Sequence, residues 1–364
     1  MPTFYYALLL AALCLLHMVI AHDAHQQQAA FGLEQQSETP ESVLRKHDQV
    51  DEATAHEKTF KGGDTLAYVT PWNNRGYDIV KEFKGKFDYV SPVWYYIEAH
   101  EFMLIGEHDV DENWIKEVRD GGGAKIVPRF QFRNWEFQDY QSFVSNAEEE
   151  ASKVVDIIMN QVRKYGFDGI VLECGYPTFF PVFVQQLSTA LHASGKQFII
   201  VLPPLRSEEQ KKYLNADIFA SLARVIDRFS IMTYDYSSHI PSGGPSAPID
   251  WIIDNIEQLT NDENRHQLLV GLNMYAIVYH ETSMPQPLVL KDVIEKFEDW
   301  IEEDEPFDWD REAEEHHVKD MDGSTIWLPT LRSIRNRVHL AEDYGVGLAL
   351  WEVGQGLDYF YNLL

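Results

Sequence analysis

Only two cysteines occur in 364 residues, Cys14 and Cys174, and the first lies in an N-terminal stretch that reads as removable. The mature chain then has no internal disulfide, and a buried core must hold it together. Basic residues are also scarce. Thirty Lys and Arg against 58 Asp and Glu leave a formal charge of −28, which repels phosphate backbones and anionic lipid headgroups and excludes nucleic acid as a partner. No apolar run after residue 21 is long enough to span a bilayer, so no membrane insertion is expected once that leader is cleaved. No Asn-x-Ser/Thr acceptor, no G-x-S-x-G elbow and no G-x-G-x-x-G after the first strand are present, which argues against N-glycosylation, serine-hydrolase chemistry and dinucleotide binding. DVDEN (109–113) alternates oxygen ligands, but Trp114 stands where a calcium loop needs glycine. The reading includes no metal and no cofactor.

Apolar and aromatic residues are plentiful, at 45% and 13%, enough for a large core and for rings beyond its needs. ALLLAALCLLHMVIA, closing at the small residue Ala21, reads as a signal peptide over residues 1–21, with an uncleaved anchor as the alternative. Secretion or delivery to the endolysosomal lumen follows. Residues 22–63 are rich in Gln, Glu, Ser and His without an apolar period, and read as a polar, flexible tether or pro-segment.

From residue 64 to 364 the pattern changes to short β-branched and aromatic runs separated by amphipathic stretches. Eight strands are expected at 65–72, 87–97, 124–132, 167–173, 197–204, 228–235, 267–275 and 345–353, with helices such as 146–165, 179–194 and 328–344. That alternation predicts an α/β fold, a (β/α)₈ TIM barrel; a doubly wound sheet is the runner-up. The acidic segment 295–320, with His316 and His317, reads as a solvated helix and loop.

Barrels carry their chemistry at the C-terminal strand ends, and here those ends hold Trp72, Trp94 to Tyr96, Phe130, Phe132, Tyr234, Asp235, Tyr236, Asn273, Tyr275, Trp351 and Glu352. Rings with a few carboxylates and amides at one mouth describe a saccharide cleft, because ring faces stack on the apolar C–H faces of sugars.

FDGIVLECGYP (167–177), MTYD (232–235), GLNMY (271–275) and LWEVGQGLDYFYNLL (350–364) resemble, in order, the fourth, sixth, seventh and eighth strands of the family 18 glycoside hydrolases. The resemblance implies a glycosidase-type barrel and an oligosaccharide ligand such as chitin or N-acetylglucosamine oligomers. YVTPWNNRGYD (68–78) and GQGLDYFYNLL (354–364) are more similar still to a receptor-associated branch of that family, which implies a stabilin-like receptor as a protein partner. Against the family pattern D-x-x-D-x-D-x-E, Asp168 fills the first place, Val171 the second, Glu173 the third, and Gly175 stands where the catalytic Glu belongs. Period two sends 171, 173 and 175 to the barrel side and Cys174 toward the helices. Glu173 lies about 6.6 Å short of the acid position along the strand and is expected to bond a sugar, or to be held by Tyr234 or Asp235. The signature is therefore degenerate. The expectation is a saccharide-binding pseudoenzyme, with Trp351 as floor, Trp72, Trp94 and Tyr234 as walls, and Glu173, Asp235 and Asn273 as polar contacts. Two alternatives stay open: a weakly active glycosidase using Glu173, Asp235 or Glu352, and a protein-interaction module with a vestigial cleft.

Overall fold

A computed structural model of the chain describes residues 38–120, 123–280, 283–303 and 305–364, and of His100 the backbone alone. The expected signal peptide and the first part of the tether lie outside the described residues. Eight barrel strands follow in order: β1 Thr65–Val69, β2 in two pieces (Tyr89–Pro92 and Tyr95–Glu98), β3 in two pieces (Lys125–Ile126 and Arg129–Arg133), β4 Gly169–Glu173, β5 Gln197–Leu202, β6 Arg228–Ile231, β7 Leu268–Asn273 and β8 Gly347–Trp351. Each pairs in parallel with the next, and β8 pairs with β1 through Thr65↔Leu348, so the ring closes as a (β/α)₈ barrel. All eight coincide with expected strands, most of them shorter at the ends, while β2 and β3 run one residue further, to Glu98 and Arg133.

The helices start and stop where local chemistry dictates. Ala147–Tyr165 ends on Gly166 and Leu331–Tyr344 on Gly345, both left-handed at φ 62° and 66°. Thr330 opens the latter as a capping box with Ser333. Two apolar layers result. Leu66, Tyr68, Val93, Val127, Val171, Ile199, Val201, Leu269 and Ala349 fill the barrel, while Ile170, Leu172 and Cys174 join the larger cluster beneath the helices.

A repeated bracket braces the floor. Asp88, Asp168 and Asp227, each preceding an even-numbered strand, accept the N–H of Thr65 (2.8 Å), Ile126 (2.9 Å) and Phe198 (2.7 Å) near the start of the strand before. Each side chain thus satisfies a backbone donor that the parallel ladder leaves over.

Two expectations need correction. Residues 40–63 are docked. Helix Pro40–Lys46 buries Val43, Phe60 is 4% exposed, and Thr59 donates to the Leu364 carbonyl through N–H and Oγ1. Val43 and Phe60 give this otherwise polar stretch enough apolar surface to stay on the barrel. The acidic segment is no solvated loop either. It supplies the helix Phe297–Glu302 and the strands Asp308–Asp310 and Glu315–Lys319 of a five-stranded antiparallel sheet inserted between β7 and β8, completed by Tyr275–Tyr279, Gln286–Val289 and Thr325–Leu328. Trp300 is fully buried there. His316 is buried, bonded to Thr330, and held down to about 3 chiefly by desolvation; His317 lies 4.6 Å from the Trp327 ring centroid. Residues from Pro40 onward form one unit, and among the described residues no helix is long and apolar enough to cross a membrane.

Candidate active-site mouth

β8 turns Trp351 into the barrel, where the Tyr68 ring meets it edge-on at 5.1 Å. Tyr68 itself is buried and donates to Ser230 at 2.9 Å. On the opposite wall β3 presents Arg129, Gln131 and Arg133 on one face, beside Tyr96 of β2 and Glu173 of β4. Arg129 donates through Nη1 to Glu173 Oε2 (2.8 Å) and through Nη2 to Gln131 Oε1 (3.1 Å), and Gln131 Nε2 donates to Glu173 Oε1 (2.8 Å). Both oxygens of Glu173 are therefore engaged as acceptors, by Arg129 and Gln131 rather than by Tyr234 or Asp235. The Arg129 guanidinium also lies 5.6 Å from the ring centroids of both Tyr96 and Trp351, near the ring expected as floor. Its Nε–H is buried without a partner.

Beyond β6, Tyr234 reaches the interior because Gly271 leaves room: a Cβ there would stand 2.9 Å from the Tyr234 ring and 2.4 Å from the Ile231 carbonyl. Asp235 follows with φ 58° and accepts from Tyr275 Oη at 2.5 Å. Burial pushes the Asp235 carboxyl above its usual range, with the Tyr275 bond pulling the other way. Arg206 clamps the turn by donating to the carbonyls of Tyr234, Asp235 and Tyr236. Three further non-glycine residues are left-handed at this end of the barrel: Glu101 and Phe102 after β2 and Asn134 after β3. Backbone strain of this kind gathers at functional sites.

The structure thus brings together Glu173, Tyr234, Asp235, Tyr275 and Trp351. Trp72 stands at the rim after β1, 65% exposed. Asn273 ends β7, but its amide is spent locally, donating to the Tyr275 carbonyl at 2.9 Å. Two expected site residues lie elsewhere. Trp94 is wholly buried in the helix layer, where Nε1 donates to Tyr77 Oη (2.8 Å) and the ring packs on Trp114 and Phe167. β2 slips by one residue here, so Trp94 and Tyr95 both face outward and Tyr96 enters the mouth instead. Glu352 is 1% exposed and alternates outward from Trp351, accepting from Asn73 Nδ2 (2.6 Å) and Gly354 N–H (2.8 Å). Desolvation raises it to about 7.

Asp168 sits at the far end of β4, paired with Arg119 at 2.9 Å in the floor bracket. Val171 faces the interior and Cys174 the helices, its thiol pushed up to about 12 by burial. Gly175 lies beyond the strand, exposed and left-handed at φ 73°, so the inward alternation stops at Glu173. Sequence reasoning passed over Arg129 and Gln131, although polar residues alternating with phenylalanine in PRFQFR marked them. Among the described residues no group of three His, Cys, Asp or Glu side chains is arranged to hold a metal.

A chitinase from Chromobacterium violaceum superposes with TM-score 0.69 at 21% identity, over 83% of this chain and 97% of its own. The spore cortex-lytic enzyme SleL of Bacillus megaterium gives 0.66 at 17%, over 83% and 73%. The E2180L mutant of the second catalytic domain of the group II chitinase of Ostrinia furnacalis, solved in complex with (NAG)5, gives 0.64 at 15%, over 81% and 90%. Residues 130–356 match the sequence profile of the glycosyl hydrolases family 18, and with more than half its length matched the chain belongs to that family.

Proposed function

We propose that the mouth binds oligosaccharides of the chitin or N-acetylglucosamine type without hydrolysing them efficiently. The observation that carries this is the Glu173 carboxylate, whose two oxygens are occupied by Arg129 and Gln131. A general acid must bring a proton to the leaving oxygen, and an acceptor bound on both sides by N–H donors has none to give. Gly175, next at the strand end, has no side chain at all. The rings of Trp351, Tyr96 and Tyr234 with Asp235 still form a surface on which a sugar can stack and bond, with Tyr68 buried beneath Trp351, and the Ostrinia domain with (NAG)5 shares the fold.

The test is incubation of the chain with N-acetylglucosamine oligomers, followed by mass spectrometry of products and by titration. Binding with no product formation is expected. Turnover at about 1 s⁻¹ or faster would overturn the reading. Turnover lost in Asp235→Asn would favour a hydrolase using Asp235, a second carboxylate in the mouth, which burial pushes upward. The same proposal includes secretion or lysosomal delivery, supported by the apolar N-terminal run, and membership of the stabilin-interacting branch, supported by the motifs at 68–78 and 354–364. Receptor capture with no glycan bound would favour the protein-interaction alternative.

A further inference from the structure

We propose that a buried Arg337–Glu315 hub positions Asp235, so that the inserted sheet sets the shape of one wall of the mouth. Glu315 is 6% exposed and Arg337 3%, and neither belongs to the cleft. The Glu315 carboxylate accepts the backbone N–H groups of Ser246 (2.7 Å) and Ala247 (2.9 Å) in the loop that follows β6. Ser246 in turn holds the residues at the mouth: its Oγ accepts the Asp235 N–H at 3.2 Å and its carbonyl accepts the Tyr236 N–H at 2.8 Å. Arg337, from the helix Leu331–Tyr344, closes the hub by donating to the carbonyls of Glu314 (2.9 Å), Ser333 (2.9 Å), Ala247 (2.5 Å) and Ala313 (3.0 Å), and to Glu315 itself (3.3 Å).

One guanidinium therefore joins three elements: the helix before β8, the inserted sheet and the β6 loop. Two non-glycine residues held left-handed lie in contact with this chain, Glu314 at φ 54° and Asp235 at φ 58°. Such conformations cost of order 1–3 kcal/mol and persist where the surroundings over-determine them. For Asp235 the surroundings are Arg206 and Ser238 on its carbonyl, Tyr275 on its carboxylate and Ser246 on its N–H. Two of these lead into the insertion, Tyr275 directly from its strand Tyr275–Tyr279 and Ser246 through the Glu315 carboxylate, and only the second passes through the hub. A buried carboxylate accepting two N–H groups beside a paired arginine is rigid, because losing either partner strands a buried charge.

The inference rests on Asp235 being a polar contact of the saccharide cleft, and the experiment separates the two claims. In Glu315→Gln one amide oxygen faces two N–H donors and an NH₂ is set against them. Hydrogen exchange of peptides covering residues 232–248 should then accelerate by about tenfold or more, while peptides from β4 and β8 stay as they were. Ser246→Ala, a milder change, should speed exchange at Asp235 alone. Unchanged exchange in both variants would overturn the hub. Affinity for an N-acetylglucosamine oligomer should fall about tenfold in Glu315→Gln, and by less than about twofold when the same change is made in Asp235→Asn. An equal loss in both backgrounds would mean that the hub stabilises the fold without acting through Asp235. An Asp235→Asn variant that binds as tightly as the parent would remove the reading of the cleft, and the exchange measurement would still decide the hub.

Discussion

Asp168 and Glu173 stand at opposite ends of β4 and do unrelated work. Asp168 braces the floor: it pairs with Arg119 and satisfies the Ile126 N–H. Asp168→Ala should lower stability by about 1–3 kcal/mol, the usual consequence of stranding a buried donor, and leave saccharide affinity unchanged. Denaturant titration beside a binding isotherm checks both, and lost affinity at unchanged stability would place Asp168 in the site. Period two was enough to place Val171 inside and Cys174 outside. Applied strictly it also separates Trp351 from Glu352, so the outward Glu352 was legible and was missed by grouping strand-end residues. Trp94 is another matter, because a one-residue slip in β2 depends on how the loop after it packs, which no local pattern records.

At the scale of elements, the eight barrel strands could be read because apolar β-branched runs broken by amphipathic helices have few alternative packings. The inserted sheet could not. Its strands are three to five residues long, and its acidic residues mask the alternation that buries His316 and Val318, which the burial of Glu315 itself interrupts. The segment 40–63 misled for the opposite reason: two apolar anchors, Val43 and Phe60, are too few to register as a pattern, yet both are seated in the core. A chain beginning at residue 38 should therefore melt with the full-length protein, whereas one beginning at residue 64 should melt several degrees lower, as expected when side chains worth a few kcal/mol are removed. Equal melting of all three would show the segment to be a tether after all.

Across the whole molecule, buried titratable groups give stability an acid-side bias with a limit. Glu352, raised from 4.5 to about 7, holds its proton in the folded state over a range where the unfolded chain has lost it. Its contribution is complete below pH 4.5 and fades as pH rises through 7. Burial raises Asp235 and Glu315 in the same sense. His316, held down to about 3, opposes them, since its contribution is lost as pH falls below 6.5. Glu352→Gln carries no proton to exchange, so the stability it loses relative to the parent should be larger at pH 5 than at pH 7.5, by roughly 2–3 kcal/mol. Thermal melts of both proteins across that range would show it, and a pH-independent difference would place the Glu352 titration elsewhere. Saccharide binding at the barrel mouth is tested most directly by calorimetric titration of an N-acetylglucosamine oligomer into the parent and into Trp351→Ala, the variant first shown to be folded by near-UV dichroism. Loss of the ring forfeits about 1–3 kcal/mol of apolar contact, so affinity should fall roughly 5- to 150-fold; undiminished affinity in the folded variant would contradict a ligand seated on this mouth.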